Sequence, residues 1–229
     1  MHYSKKTVEN GFHFNSRTLS KEKQLKIYDI TQTIDVTMTV YKDKPEKRPD
    51  IKINRTHDHG GVMESTISLD VHTGTHLDAP LHMLKDGQTI DLMPLEPLIT
   101  PCKVLDLTHV TEGITEEDLK KYTLEPNDVL LFKTRNSFEN FFNPEFIYLT
   151  HSGAEWLAAH HIKGVGTDAL GIERSQPGHP THRTLFAANI YVLEGLALAD
   201  IEPGDYELIA LPLKLKGLEA SPVRAVLRK

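Results

Sequence analysis

Residues 72–82 read His72-Thr73-Gly74-Thr75-His76-Leu77-Asp78-Ala79-Pro80-Leu81-His82, which sets three imidazoles and one carboxylate close together in a chain that holds 13 His. Imidazole nitrogen with carboxylate oxygen suits Zn²⁺, Mn²⁺ or Fe²⁺, whereas Ca²⁺ and Mg²⁺ demand more oxygen donors. Two His four apart share one face of a helix. Gly74, the threonines beside it and Pro80 argue against a helix here, so a loop folded round an ion is expected instead. Single histidines are usually surface or core residues, but three with an Asp in one Gly- and Pro-punctuated segment read as a metal site.

The elements around this segment must present it. From Glu64 to His72 the chain alternates, with Ile67, Leu69 and Val71 on one face and Thr66, Ser68, Asp70 and His72 on the other, which predicts a strand that delivers His72 away from its apolar side. Further strands are expected at Ile27–Ile30, Cys102–Leu107, Asp128–Thr134, Lys163–Asp168, Asn189–Gly195, Tyr206–Leu211 and Val223–Leu227. Tyr41–Asp50 reads as an exposed loop. Thr115-Glu116-Glu117-Asp118 has the form of a capping box that opens a helix to about Tyr122. A second helix is expected from Ser152 through Trp156, Leu157 and His160, with Gly164 as its stop. Strands outnumber helices, so the fold class is α/β with a strand-rich single domain over 27–229, preceded by a polar, flexible extension over 1–26.

Composition narrows the function. The 26 Lys and Arg against 32 Asp and Glu leave a net charge of −6, and without a basic block the chain lacks the electrostatic footprint of a nucleic-acid binder. Cys102 is the only cysteine, so no internal disulfide can form. No apolar run approaches the roughly 18 residues of a membrane span, and no apolar signal core follows Met1, so a cytoplasmic protein with no membrane partner is expected. A G-x-S-x-G elbow is missing as well, and a serine or cysteine nucleophile finds no support.

The spacing H-x-G-T-H-x-D-x-P-x-H resembles the signature of the metal-dependent cyclase and hydrolase family that contains bacterial kynurenine formamidase. The similarity continues through Gly204–Leu213 and Ser221–Val226, and so spans about Ile27 to Arg228. It implies a swivelling β/β/α fold, a metal bound by His72, His76 and Asp78, and His82 as a proton-transfer residue. It also implies a second metal position at His182 and Glu194, where His179-Pro180-Thr181-His182 and Val192-Leu193-Glu194 match. Without the family, His182 beside a Pro-rich turn and Glu194 at a strand end would be unremarkable. Asp168, at the end of an expected strand, is a candidate to orient a ligand imidazole, or equally a turn-capping Asp. His57, His59, His160 and His161 are read as ordinary loop and helix-end residues.

One departure bears on the substrate. Kynurenine formamidases carry an early Trp-Pro-Gly-Asp stretch where this chain has Tyr41-Lys42-Asp43-Lys44-Pro45. Lys42 and Lys44 could attract an acidic substrate, although a charged loop is ordinarily a solvated face. The leading function is hydrolysis of an amide, formamide or lactam of a small molecule by water activated on one or two Zn²⁺ or Mn²⁺ ions, in a homo-oligomer, most simply a dimer. The alternatives are a metal-dependent cyclase or lyase acting through an enolate, and a binding module without turnover.

Overall fold

Short aliphatic and β-branched runs build the core of this molecule as strands of one eight-stranded sheet. The computed structural model describes residues 25–59 and 61–229. The extension expected over 1–26 therefore lies outside the described residues except for Leu25 and Lys26. In chain order the elements are β1 (Ile27–Asp29), β2 (Asp50–Arg55), β3 (Glu64–Ser68), β4 (His76–Asp78), β5 (Ile99–Asp106), β6 (Gly113–Ile114), α1 (Glu116–Leu119), β7 (Val129–Lys133), β8 (Tyr148–Leu149), α2 (His151–Ala159), β9 (Gly164–Thr167), α3 (Pro180–Ala187), β10 (Tyr191–Glu194), β11 (Gly204–Pro212) and β12 (Ala220–Arg228).

The eight-stranded sheet runs β1-β12-β11-β5-β7-β9-β10-β4, and a further pairing of β4 with β12 closes it into a mixed barrel. The pairs β5/β7, β7/β9 and β9/β10 are parallel, and β4 is antiparallel to both β10 and β12. Strand period two divides the apolar residues between two layers. Val129, Leu131, Leu193 and Leu77 join the barrel interior. Leu130, Phe132, Val165 and Val192 face the other way, where they pack with Leu157 of α2 and with Leu185 and Phe186 of α3. Each such aliphatic, fully buried, stabilises by about 1.5–3 kcal/mol, so the sheet is held from both sides. Gly166 allows the interior to close, because a Cβ there would come within 2.6 Å of Leu131 and 2.7 Å of Leu196.

A strand-rich single domain was expected, and the closed mixed barrel with few helices is that fold. Three local expectations fail. The strand predicted over Glu64–His72 ends at Ser68 and belongs to a separate hairpin, β2/β3, whose Ile51, Ile53 and Ile67 are exposed; it does not carry His72, which stands in the loop beyond it. His76-Leu77-Asp78, expected in a loop, is a buried strand, because β10 and β12 satisfy its backbone on both edges. The second helix is capped by Thr150, not Ser152, and ends before His161, whose φ of 56° lies in the left-handed region. Among the described residues no helix is long and apolar enough to cross a membrane.

Candidate metal centre

The register of β4 creates the site. Leu77 points into the barrel, so its neighbours His76 and Asp78 must point outward, and pairing sets His76 opposite Glu194 and Asp78 opposite Val192. The two strands can approach this closely because Gly74 (φ 62°) and Gly195 (φ 69°) pack backbone to backbone: a Cβ on Gly195 would lie 2.4 Å from the Gly74 carbonyl oxygen. Thr75 Oγ1 donates to that Gly195 carbonyl at 2.5 Å, which ties the segments together. His72 reaches the same face from the loop before β4, where its amide donates to Asp70 at 2.9 Å. His82 arrives on the 3₁₀ turn Pro80–His82 just after it.

The sixth group comes from α3. Pro180 at its first turn supplies the helical φ, and Thr181, His182, Leu185 and Phe186 form its buried face. His182, read from sequence as lying beside a Pro-rich turn, is thus on a helix that lies over the sheet. All six candidates from the sequence, His72, His76, Asp78, His82, His182 and Glu194, meet on one outer face of the barrel.

Their separations suit a cation. His72 Nδ1 lies 3.0 Å from Asp78 Oδ1, and His76 Nε2 lies 3.5 Å from Asp78 Oδ1 and 3.3 Å from Glu194 Oε2. His182 Nε2 lies 3.3 Å from Glu194 Oε1 and 3.7 Å from Asp78 Oδ2. Donors bound to one transition ion at roughly 2.0–2.2 Å stand about 3.0–3.5 Å apart, which is this spacing. Both Asp78 oxygens and His76 Nε2 are buried without a hydrogen-bond partner, whereas His76 Nδ1 is engaged by the Gly74 carbonyl at 2.9 Å. Pinning one ring nitrogen on a carbonyl frees the other as a ligand. Asp78 joins two overlapping groups, His76–Asp78–Glu194 and His72–Asp78–His82, whose donor atoms lie within 4.8 Å of one another in each.

Charge tells the same story. Burial works against every ionised group here, lifting carboxyls and depressing imidazoles. Mutual pairing overrides it: Glu194 and Asp78 push His76 up to about 9, and Asp78, Glu173 and Glu194 hold His182 well above its usual range. In return the imidazoles hold Asp78 well below the usual carboxylate range and Glu194 down at about 2. The buried carboxylates require positive charge, which protons on imidazole supply in the protein alone and which a divalent ion would replace. His82 is different. Burial pushes it down from 6.5, so it stands as neutral imidazole at pH 7, its ring centroid 4.3 Å from that of His72 and 5.6 Å from that of His182.

Of the two roles expected of Asp168, orienting acid or turn cap, the structure shows the turn cap. Asp168 touches no site histidine. It accepts from Thr134 N at 2.7 Å, Thr134 Oγ1 at 2.8 Å and Ser137 Oγ at 2.6 Å, and so caps the turn that follows β7. The carboxylate that meets His182 is Glu173, which sequence reasoning missed. It accepts the His182 amide at 3.0 Å, faces His182 Nδ1 at 3.4 Å and holds His179 Nδ1 at 2.6 Å. An anion at the first turn of α3 also complements the helix dipole. Glu173→Gln is expected to weaken metal binding about 10–100-fold, the usual cost of losing such a partner, with helix content retained; competition against a chelator measures it, and unchanged affinity would remove Glu173 from the site. His160 stacks on Trp156 at 3.8 Å, and His161 and His57 are exposed. The side chain of His59 lies outside the described residues.

A cavity of about 350 Å³ opens on this cluster. His72, His82, His182 and Glu194 form one part of its wall, Val40, Met83 and Leu170 an apolar part, and the Tyr41–Lys47 loop another.

Comparison with known proteins places this arrangement among relatives. The family model described as "Putative cyclase" matches residues 28–174. The chain is 33% identical over 205 residues to a protein named kynurenine formamidase from Salinibacter ruber, covering 88% of this chain and 97% of that one. Its fold superposes with a TM-score of 0.83 on a structure described as a predicted metal-dependent hydrolase from Bacillus stearothermophilus, at 50% identity over 90% of this chain and 99% of the other. Isatin hydrolase A from Labrenzia aggregata gives a TM-score of 0.80 at 28% identity, covering 89% of this chain and 93% of that chain.

Proposed function

The chain belongs to the cyclase family, and we propose that it is a metal-dependent hydrolase that cleaves the C–N bond of an amide, formamide or lactam in a small molecule. The observation that carries this reading is the convergence of three imidazoles and two carboxylates, with both Asp78 oxygens and His76 Nε2 left without hydrogen-bond partners, beside His82 and an open cavity. The relatives named kynurenine formamidase and isatin hydrolase A support it.

His72, His76, Asp78, His182 and Glu194 would hold one or two ions, Zn²⁺ or Mn²⁺. Such an ion supplies Lewis acidity, polarising a carbonyl and lowering the pKa of a water toward 7. The residues of the chain supply the rest. His82 accepts the proton as the water oxygen bonds to the carbonyl carbon, then returns it to nitrogen as the C–N bond breaks. Val40, Met83 and Leu170 seat the apolar part of the substrate, and Glu173 holds His182 in place. A homodimer working in the cytoplasm fits this reading, supported by the frequency of two-fold assembly and by the single cysteine.

The test is turnover of a panel of formamides, lactams and cyclic imides by protein loaded with Zn²⁺ or Mn²⁺ in ¹⁸O water. Hydrolysis is expected to place one solvent oxygen in the carboxylate product. Turnover without solvent oxygen would move the assignment to a lyase or cyclase, and tight metal binding with no turnover would make the protein a binding module.

A further inference from the structure

The lysines of the Tyr41–Lys47 loop stand in the wall of the cavity that opens on the metal centre. Lys42, Lys44 and Lys47 all line it. Lys47 is spoken for, because its Nζ binds Asp70 at 2.9 Å, and Asp70 in turn holds the His72 amide. Arg48 pairs with Asp43 at 2.6 Å. Lys42 and Lys44 pair with no carboxylate among the described residues. The acids in the same wall cannot neutralise them: Asp70 is bound to Lys47, Glu173 is occupied by His179 and the His182 amide, and Glu194 belongs to the buried cluster.

The backbone of this loop adds a second observation. Lys42 and Asp43 have φ of 58° and 48°, two consecutive non-glycine residues in the left-handed region. Each such conformation is unfavourable for a residue with a Cβ and persists only where its surroundings impose it. A solvated charged loop has no need of it. Here it turns the chain back immediately after Tyr41, whose ring packs edge-on against Phe142 at 5.4 Å and Phe146 at 6.5 Å and whose hydroxyl meets Ser175 Oγ at 2.9 Å. Tyr41 is therefore fixed, and the two lysines that follow are anchored at the cavity.

We propose that Lys42 and Lys44 form a subsite for an anionic group, so that the substrate is an amide or formamide that also carries a carboxylate. This rests on the hydrolytic reading of the metal centre. The scissile carbonyl faces His72, His82 and His182, the carboxylate faces Lys42 and Lys44, and Val40, Met83 and Leu170 lie along the apolar part between or beside them.

The test compares N-formylphenylalanine with N-formylphenethylamine, which lacks the carboxylate, in protein loaded with Zn²⁺ or Mn²⁺. Two exposed ion pairs together are expected to give a preference of about tenfold in kcat/KM for the acid, shrinking with added salt. Both lysines are exposed, so Lys42→Gln with Lys44→Gln keeps the fold; the preference is expected to fall toward one, and to persist in Lys42→Arg with Lys44→Arg. Equal rates for the two substrates in the unaltered protein, or an unchanged preference in the Gln variant, would overturn the subsite. Hydrolysis of neither compound would count against the hydrolytic reading instead. Calorimetry of 3-phenylpropionate against 3-phenylpropionamide then decides the subsite alone: tighter binding of the acid that disappears in the Gln variant supports it, and binding indifferent to either change refutes it.

Discussion

Replacing His76 by Ala together with Asp78 by Asn is expected to leave a folded chain that holds no metal and hydrolyses nothing. Asp78 is fully buried, lies within 3.0–3.7 Å of nitrogens on His72, His76 and His182, and has no hydrogen-bond partner for either oxygen. An amide in its place keeps the shape and removes the charge that all three imidazoles face. Losing a residue that merely orients a ligand typically costs 10–100-fold in metal affinity, so losing two direct donors should cost more than about 100-fold. The backbone of β4 is bonded on both edges and Leu77 stays in the barrel, so the variant should keep its strand content. Elemental analysis after gel filtration, beside circular dichroism, reads both halves of the expectation. Undiminished metal in a folded double variant would mean that the ion is held elsewhere.

His82→Ala is expected to retain the metal and lose about 10²–10⁴-fold in kcat, the range of a positioned proton carrier. The sign of the pH dependence follows from its surroundings. Burial places the His82 pKa below 6.5, and a divalent charge beside it would press further in the same direction. The base form is therefore present at neutrality and is lost only as pH falls through that lowered value, so kcat/KM in the unaltered enzyme should hold its plateau to below pH 6.5. In His82→Ala that acidic limb should vanish from the residual rate. His82 also lies close enough to His72 and Asp78 to be a ligand. That role predicts loss of metal with loss of rate, so one variant, assayed for both, separates the two.

The sequence and the fold contributed different parts of this picture. The candidate ligands and their order along 72–82 were legible because the chemistry is local: imidazoles and a carboxylate within one short segment leave few other readings. The long strands were legible for a similar reason. β7 and β10 are aliphatic runs bounded by turn residues, and the interior-exterior split of Val129 to Phe132 follows from the pleat alone. The helix that carries His182 also had a local sign, Pro180 at its first turn, masked by the surrounding Gly and Pro.

What the sequence could not determine are the contacts made across long separations. β4 is three residues long and has no strand signature of its own; it is extended because β10 and β12, more than a hundred residues away, pair with both its edges. The alternation read over Glu64–His72 outruns the strand, which ends at Ser68; its single partner β2 lies outside the barrel, so Ile67 stays exposed. The sequence offered Asp168 as an orienting acid or equally a turn cap and gave no sign of Glu173, five residues on; only the placement of α3 over the sheet brings His182 to Glu173. The same holds for Lys42 and Lys44. Their charge was plain in the sequence, but whether a charge meets solvent or a cavity is decided by what packs around the loop, and that is a property of the tertiary structure.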